Sequence, residues 1–430
     1  MSRGTSPEHG GATTPAPLEL PEHYFRHEFG RLVSVLSRRY GSHRIQLCED
    51  AAQAALLRAV QLWPASAQPN DRGAWLYRVA SNHLLDALRR DRRNEPYPAE
   101  LELAAEASPA DEVYLESEVK DDVLRLLFVC ADPALAPESQ LVLALKTLCG
   151  FSTAEIALRL FQSEEAVHKR LQRARAKLAE QPPDLDTPRL EQLADRLPSV
   201  LHALYLLFNE GYSSGQPDQP IRRELCEESI RLALLLITHP VGSAPEADAL
   251  LALMYLHAAR FDARLDVAGG LLTLEEQDRS RWDGELIQLG VHYLQRAARG
   301  ESFSRYHAEA SIAAEHCLAP SYVQTRWEEI TRSYELLDRI SPSPLNTLNR
   351  AIALAEWQGA SAGLTLLAAI ERPKWLSAYY LWDATLGELH RRNGDLAHAT
   401  THLSRALELA PTHAERALLE RRLKACRKSS

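Results

Sequence analysis

No apolar run in the chain approaches the ~18 residues that a membrane-crossing helix needs, so the sequence offers no membrane partner. The six cysteines (48, 130, 149, 226, 317 and 426) form no CxxC pair and no cluster with histidine. That excludes a disulfide framework and a recognisable zinc site, and scattered thiols suit burial in a reducing cytoplasm. There is no GxxxxGK[ST] phosphate loop, no GxGxxG after a strand, no GxSxG and no HExxH. The first residues, MSRGTSPEHGGATTPAPLELPE, lack the apolar centre of a signal peptide, and residues 1–20 read as a disordered lead-in. No metal or cofactor site and no catalytic residues are expected.

What is present is ample for packed cores: 430 residues, 45% hydrophobic and 25% charged, enough for two to four domains. A net charge of −9 argues against one extended nucleic-acid surface, but its distribution is uneven. Bases outnumber acids from Arg26 to Arg93. From Glu95 to Asp122 Lys120 is the only base, and Pro96 to Glu116 reads as a linker.

The most informative stretch is STAEIALRLFQSEEAVHKRLQRARAKL, residues 152–178. Ser152 and Glu155 have capping-box spacing, Phe161-Gln162-Ser163 breaks the helical pattern, and Ser163 caps a second helix. Val167, Leu171, Ala174 and Leu178 form that helix's core stripe. Lys169, Gln172, Arg173 and Glu165 face the other way, with Arg170, Arg175 and Lys177 on the flanks. Five Lys or Arg and no acid lie between Val167 and Leu178. The pattern fits a helix-turn-helix whose second helix enters the major groove better than the alternative, a helical hairpin with a solvated basic face.

Upstream, Tyr24 to Trp63 reads as helical, with Phe25, Phe29, Leu32, Val33 and Leu36 in step and a second helix from about Ile45. SAQPNDR (66–72) is a loop, and Gly73 to Arg93 is one amphipathic helix. Its inner stripe is Leu76, Ala80, His83, Leu84 and Ala87; Arg78, Asn82, Arg89 and Arg93 line the outer one. Trp63 and Trp75 beside this row suit either the stacking of unpaired bases or a place in the core. Val119 to Ala131 and Pro137 to Leu148 are two further helices.

The order of WLYRVASNHLLDALRRDRR, an acidic linker and the helix-turn-helix resembles the extracytoplasmic-function sigma factors of bacterial RNA polymerase, over about Tyr24 to Leu178. The resemblance implies an all-α chain: sigma region 2 at 21–93, the linker at 94–117, and region 4 at 118–181. It implies two partners, the clamp and flap of core polymerase and promoter DNA, with region 2 opening the −10 element and region 4 reading the −35 element. The family's clamp-binding run resembles EDLVQEAF; here EDAAQAAL (49–56) keeps Glu49, Asp50 and Gln53 and has Ala54 in place of an acid. Carried onto this chain, Arg78 and Asn82 meet the −10 strand, with Arg89 and Arg93 on its backbone. Glu165, His168, Lys169 and Arg173 read the −35 edge, and Arg170, Arg175 and Lys177 hold phosphates.

Residues 190–430 are helical in pattern. LGELHRRNGDLAHATTHLSRALELAP (386–411) places Leu386, Gly387, Gly394, Ala399, Leu403, Ala406 and Pro411 as a tetratricopeptide repeat does, and Gly359 is in register in a weaker copy at 348–370. LYLLFNEGY (204–212), LEEQDRSRW (274–282) and SPLNTLNRAIALAE (343–356) resemble the extension of one sigma-factor subgroup; Tyr306 to Ala314 is a looser match. The resemblance implies a regulatory helical-repeat domain acting within the chain, in a cytoplasmic transcription factor. A second reading is a helix-turn-helix regulator with a ligand- or protein-sensing repeat domain that does not join polymerase. A third is an enzyme built on Asn209, Glu210, His257, Asp262, Asp266, Glu276, Asp278, Arg279, His307 and His316, although such residues more often form satisfied ion pairs between packed helices. In LEEQDRSRW, Asp278 is expected to cap a turn or pair with Arg281, and Trp282 to bury its ring.

Overall fold

A computed structural model describes residues 22–63, 69–91, 121–180, 190–214, 219–267 and 269–428. Among these residues all regular structure is helical, apart from an isolated bridge between Leu265 and Leu271. The lead-in and the acidic linker lie outside them, as does Arg93. The chain divides into two compact units. One comprises Met1–Val113, Thr147–Gly150 and Arg175–Pro183; the other comprises Tyr114–Lys146, Phe151–Ala174 and Asp184–Ser430.

The first unit is built on α1 (Glu22–Tyr40), α2 (Ile45–Leu62) and α3 (Arg72–Asp91). Leu32, Val33 and Leu36 of α1 are buried at helical spacing, as expected. Each fully buried apolar side chain of this size contributes about 1.5–3 kcal/mol. Ala51, Ala52, Ala55 and Ala59 of α2 have no exposure at all, and such small side chains let neighbouring helices approach closely. Helix α3 begins at Arg72 because the Asp71 carboxylate accepts a hydrogen bond from the Ala74 amide at 2.9 Å. Leu76, Ala80 and Leu84 face the core, but His83 is exposed. Its place one residue before Leu84 puts it at the edge of the stripe, where an imidazole keeps its water.

The second unit begins with α4 (Asp122–Cys130), capped by Asp121, and α5 (Pro137–Thr147), followed by α6 (Thr153–Arg159) and α7 (Glu164–Glu180). The last residue of α5 and the last turn of α7 belong to the first unit. Eleven further helices follow: α8 (Leu190–Tyr212), α9 (Arg223–Thr238), α10 (Pro245–Ala258), α11 (Gly284–Ala297), α12 (Arg305–Leu318), α13 (Trp327–Ile340), α14 (Pro344–Gln358), α15 (Ala360–Ala368), α16 (Tyr380–Arg392), α17 (Leu396–Leu409) and α18 (His413–Lys428). Helices α10 and α12 pack on each other across α11, and from α13 onward each helix packs chiefly on its chain neighbours, as in helical-repeat domains. Gly211 near the end of α8 is required by packing, since a Cβ there would stand 2.6 Å from the Cys226 sulfur and 2.7 Å from the Arg222 carbonyl.

Candidate nucleic-acid interface

The helix-turn-helix forms as its local chemistry dictates. The Ser152 hydroxyl accepts from the Glu155 amide at 3.1 Å, and the Glu155 carboxylate accepts from the Ser152 amide at 2.7 Å, closing the expected capping box. Helix α6 ends in a Schellman turn: the Gln162 amide reaches back to the Ala157 carbonyl at 2.8 Å, and Phe161 sits at φ 52°. Among the described residues it is the one non-glycine at positive φ. Ser163 then accepts from the Ala166 amide at 3.3 Å and starts α7.

Within α7, Val167, Leu171, Ala174 and Leu178 are buried. Glu165, His168, Lys169 and Arg173 are exposed, with Lys169 and Glu165 paired across one turn at 2.5 Å. A surface pair of this kind is worth under ~1 kcal/mol, so it opens readily to a competing partner. Arg170 is half-buried against Gln162, and Lys177 is half-buried. On α3 the expected outer residues Arg78, Asn82 and Arg89 are all exposed, and Arg89 lies 3.5 Å from Asp86. Trp63 is buried, its ring 5.5 Å from half-buried Trp75 and capped by the Arg72 guanidinium, so these aromatics act first as core.

The three expected polymerase-binding residues part company. Asp50 and Gln53 are exposed on α2. Glu49 is 5% exposed; it accepts from the Thr147 hydroxyl at 2.6 Å and pairs with Arg175, one of the expected phosphate contacts. Gly30 of α1 accommodates the same segment, because a Cβ there would meet the Leu148 carbonyl oxygen at 2.2 Å.

A set of contacts that the sequence did not disclose ties α6 to the helices that follow. The Arg159 guanidinium donates through Nε to Glu210 at 3.0 Å and through Nη2 to the Ser213 carbonyl at 2.7 Å. The Arg222 side chain, 2% exposed, stands 3.3 Å from Glu155 and 3.6 Å from Glu210. Phe161 packs edge-on against Trp375 at 5.0 Å and Tyr379 at 5.8 Å. The helices before the turn are tied as well: Arg196 bonds Asp132 at 2.8 Å and the Phe128 carbonyl at 3.0 Å, and Arg231 bonds Asp121 at 3.0 Å. Glu210 was visible within LYLLFNEGY, but nothing in the sequence pairs it with Arg159, which reads as an ordinary surface arginine.

The residues weighed for catalysis are placed otherwise. Asp262 pairs with Arg223 at 2.5 Å, and Asp266 and Glu276 lie 3.6 and 3.9 Å from Arg421. Asp278 caps the turn at Ser280, and Trp282 is 9% exposed, with the guanidinium groups of Arg279 and Arg260 at 4.4 and 5.5 Å from its ring. Arg279 donates to the carbonyls of His316 and Ala319, at 2.6 and 2.9 Å, where α12 ends; Arg264 bonds the Tyr212 carbonyl at the end of α8. These cations answer the partial negative charge of helix C-termini. Burial holds His257 and His316 neutral, each pushed down to about 3. His307 accepts from the Ser304 amide in a capping arrangement.

Comparison with known proteins covers the same regions. Residues 24–94 match the model described as sigma-70 region 2, and residues 129–178 match sigma-70, region 4. Residues 196–298 match a family of unknown function, DUF6596. An uncharacterized protein of Rhizobium meliloti (strain 1021), R00370, is 36% identical over 384 residues, covering 88% of this chain and 90% of that protein. The ECF RNA polymerase sigma factor SigG of Mycobacterium tuberculosis (strain ATCC 25618 / H37Rv) is 33% identical over 151 residues, 30% of this chain and 40% of that one. A solved circular tandem repeat protein aligns over 93% of this chain and 87% of its own at 17% identity, with a TM-score of only 0.19.

Proposed function

The chain belongs to the sigma-70 family as an extracytoplasmic-function-type sigma factor with a C-terminal extension, and from that premise we infer how its parts divide the work of transcription initiation. Core RNA polymerase and promoter DNA are the partners that the two sigma regions imply. Region 2 meets the polymerase clamp through exposed Asp50 and Gln53, while Arg78 and Asn82 meet the −10 strand and Arg89 and Arg93 serve its backbone. Region 4, docked on the flap, reads the −35 element through Glu165, His168, Lys169 and Arg173, while Arg170, Arg175 and Lys177 serve phosphates. The protein acts in the cytoplasm, where its polymerase is.

The C-terminal extension regulates region 4 by gripping its non-reading helix. One observation carries this reading: within one compact unit, α6 is bolted to the extension through Arg159, Glu210, Arg222 and Phe161, while the outward face of α7 is exposed. An extension placed in this way orients the recognition helix without occupying it.

Reconstitution with core polymerase tests the proposal. The full chain co-elutes with core and supports run-off transcription from its promoter. Glu210→Ala still co-elutes, but its output changes at least severalfold. A chain that binds promoter DNA and never associates with core would instead be a free-standing helix-turn-helix regulator, and unchanged output from Glu210→Ala would remove the regulatory role of the extension.

A further inference from the structure

We propose that the turn joining α16 to α17 is a binding site for a divalent cation of the zinc class, held by His390, Asp395 and His398. A search for Cys–His clusters passes over this run, because its ligands are spread through HRRNGDLAH with no cysteine among them. Folding closes the gap: one ligand atom from each of the three lies within 4.8 Å of the other two.

Several features organise the group. Asp395 is the N-cap of α17; its Oδ1 accepts from the His398 amide at 3.2 Å, which fixes the carboxylate and leaves Oδ2 for other partners. That Oδ2 lies 2.7 Å from His398 Nδ1 and 3.3 Å from His390 Nδ1. His390 Nδ1 is buried, and the Asp395 carboxylate is the group that faces it. The His390 ring stacks on His398 at 5.1 Å and on His402 at 5.6 Å, so three imidazoles from two helices share one place. His402 is itself oriented by a carboxylate, Nδ1 standing 2.9 Å from Oδ1 of Asp383, which is 1% exposed and held by Arg372 at 2.7 Å. A carboxylate behind an imidazole fixes that ring's orientation.

The donor set selects the ion. Two imidazole nitrogens and one carboxylate favour zinc and its transition-metal neighbours over magnesium or calcium, which prefer oxygen alone. Tetrahedral zinc with bonds of ~2.0–2.2 Å needs donors roughly 3.3 Å apart, so the three must close by about 1.5 Å at most. The His398 side chain is 68% exposed and has room to swing. A bound ion would cross-link the last turn of α16 to the first turn of α17. Neither this site nor its test depends on the reading of the chain as a sigma factor.

The experiment uses the full chain, stripped with chelator and titrated calorimetrically with ZnCl2 or MgCl2. One equivalent of zinc binds in the micromolar range and raises the thermal midpoint, while magnesium does neither. His390→Gln and His398→Gln each weaken zinc binding at least tenfold and abolish the thermal shift. His292→Gln, at an exposed histidine on α11, leaves both unchanged. Cobalt substitution gives visible d–d bands without thiolate charge transfer. Absence of stoichiometric zinc binding, undiminished binding in both histidine variants, or a thiolate–cobalt band pointing to cysteines would each overturn the proposal.

Discussion

Replacing Glu210 by alanine removes a carboxylate whose side chain is 4% exposed and which anchors Arg159 and Ser214 at 3.0 Å and Arg222 at 3.6 Å. Breaking a buried ion pair from one side costs about 3–5 kcal/mol, because the partner charge stays behind without compensation. Two features hold the cost here to the lower end. Arg222 retains Glu155 at 3.3 Å and Glu224 at 3.6 Å, and Arg159 is 24% exposed and keeps the Ser213 carbonyl. The expected loss is therefore about 3 kcal/mol. It is read as a lowered midpoint of chemical denaturation at unchanged slope, with faster hydrogen exchange along α6. A double-mutant cycle with Arg159→Ala isolates the pair and should return a coupling of about 1–3 kcal/mol. Single losses under about 0.5 kcal/mol with no coupling would mean that the two side chains do not hold each other in solution, and the grip on α6 would go with them.

Three further outcomes follow from the same geometry. Phe161 combines a left-handed backbone at φ 52° with two edge-on aromatic contacts. Phe161→Ala loses the contacts and keeps the strain, whereas Phe161→Gly relieves it, so glycine should be the more stable of the two by about 1 kcal/mol and both should fall below wild type; a reversed order in denaturation would refute the left-handed assignment. His257 and His316 titrate at about 3 when folded and near 6.5 when unfolded. Below pH 6.5 the unfolded chain therefore binds protons that the native chain refuses, and stability complete above that pH declines through the window down to 3. Between pH 7.5 and 5.5 the fall is about 1.4 kcal/mol per histidine, and it should shrink in the His257→Gln/His316→Gln double variant. Lys169→Ala should weaken promoter binding by about 1–3 kcal/mol in a sequence-dependent way, measured by filter binding of the holoenzyme; equal loss on random DNA would make Lys169 a phosphate contact only.

What the sequence disclosed were features whose causes lie close together along the chain. The capping box of Ser152 and Glu155 is three residues wide, the stripe from Val167 to Leu178 needs only the period of one helix, and Asp278 and Trp282 act within their own motif. Glu49 shows the opposite case. Its identity within EDAAQAAL was legible, but its burial against Thr147 and Arg175 comes from segments 98 and 126 residues away. A motif match names a residue without saying which neighbour already holds it. The misplaced His83 has a smaller cause: a helical wheel assigns a stripe with an uncertainty of about one position, and at the edge of the stripe that decides between core and water.

The same distinction bears on how the extension relates to region 4. Glu210 and Arg159 are 51 residues apart in sequence, and Phe161 is more than two hundred residues from Trp375 and Tyr379, yet all of them meet around one seven-residue helix. A helix that short has little stability alone, since nucleating helical structure in isolation is unfavourable. Its stability must come from what packs on it, and here two charged side chains, Glu210 and Arg222, and the aromatic pair Trp375 and Tyr379 do so from outside the helix-turn-helix. Phe161 sharpens the point, because a backbone held at positive φ by a non-glycine persists only where the surroundings over-determine it. If Phe161→Gly restored local order to a chain carrying Glu210→Ala, strain and grip would be two halves of one balance; if the two substitutions simply added, they would be independent supports of the same turn.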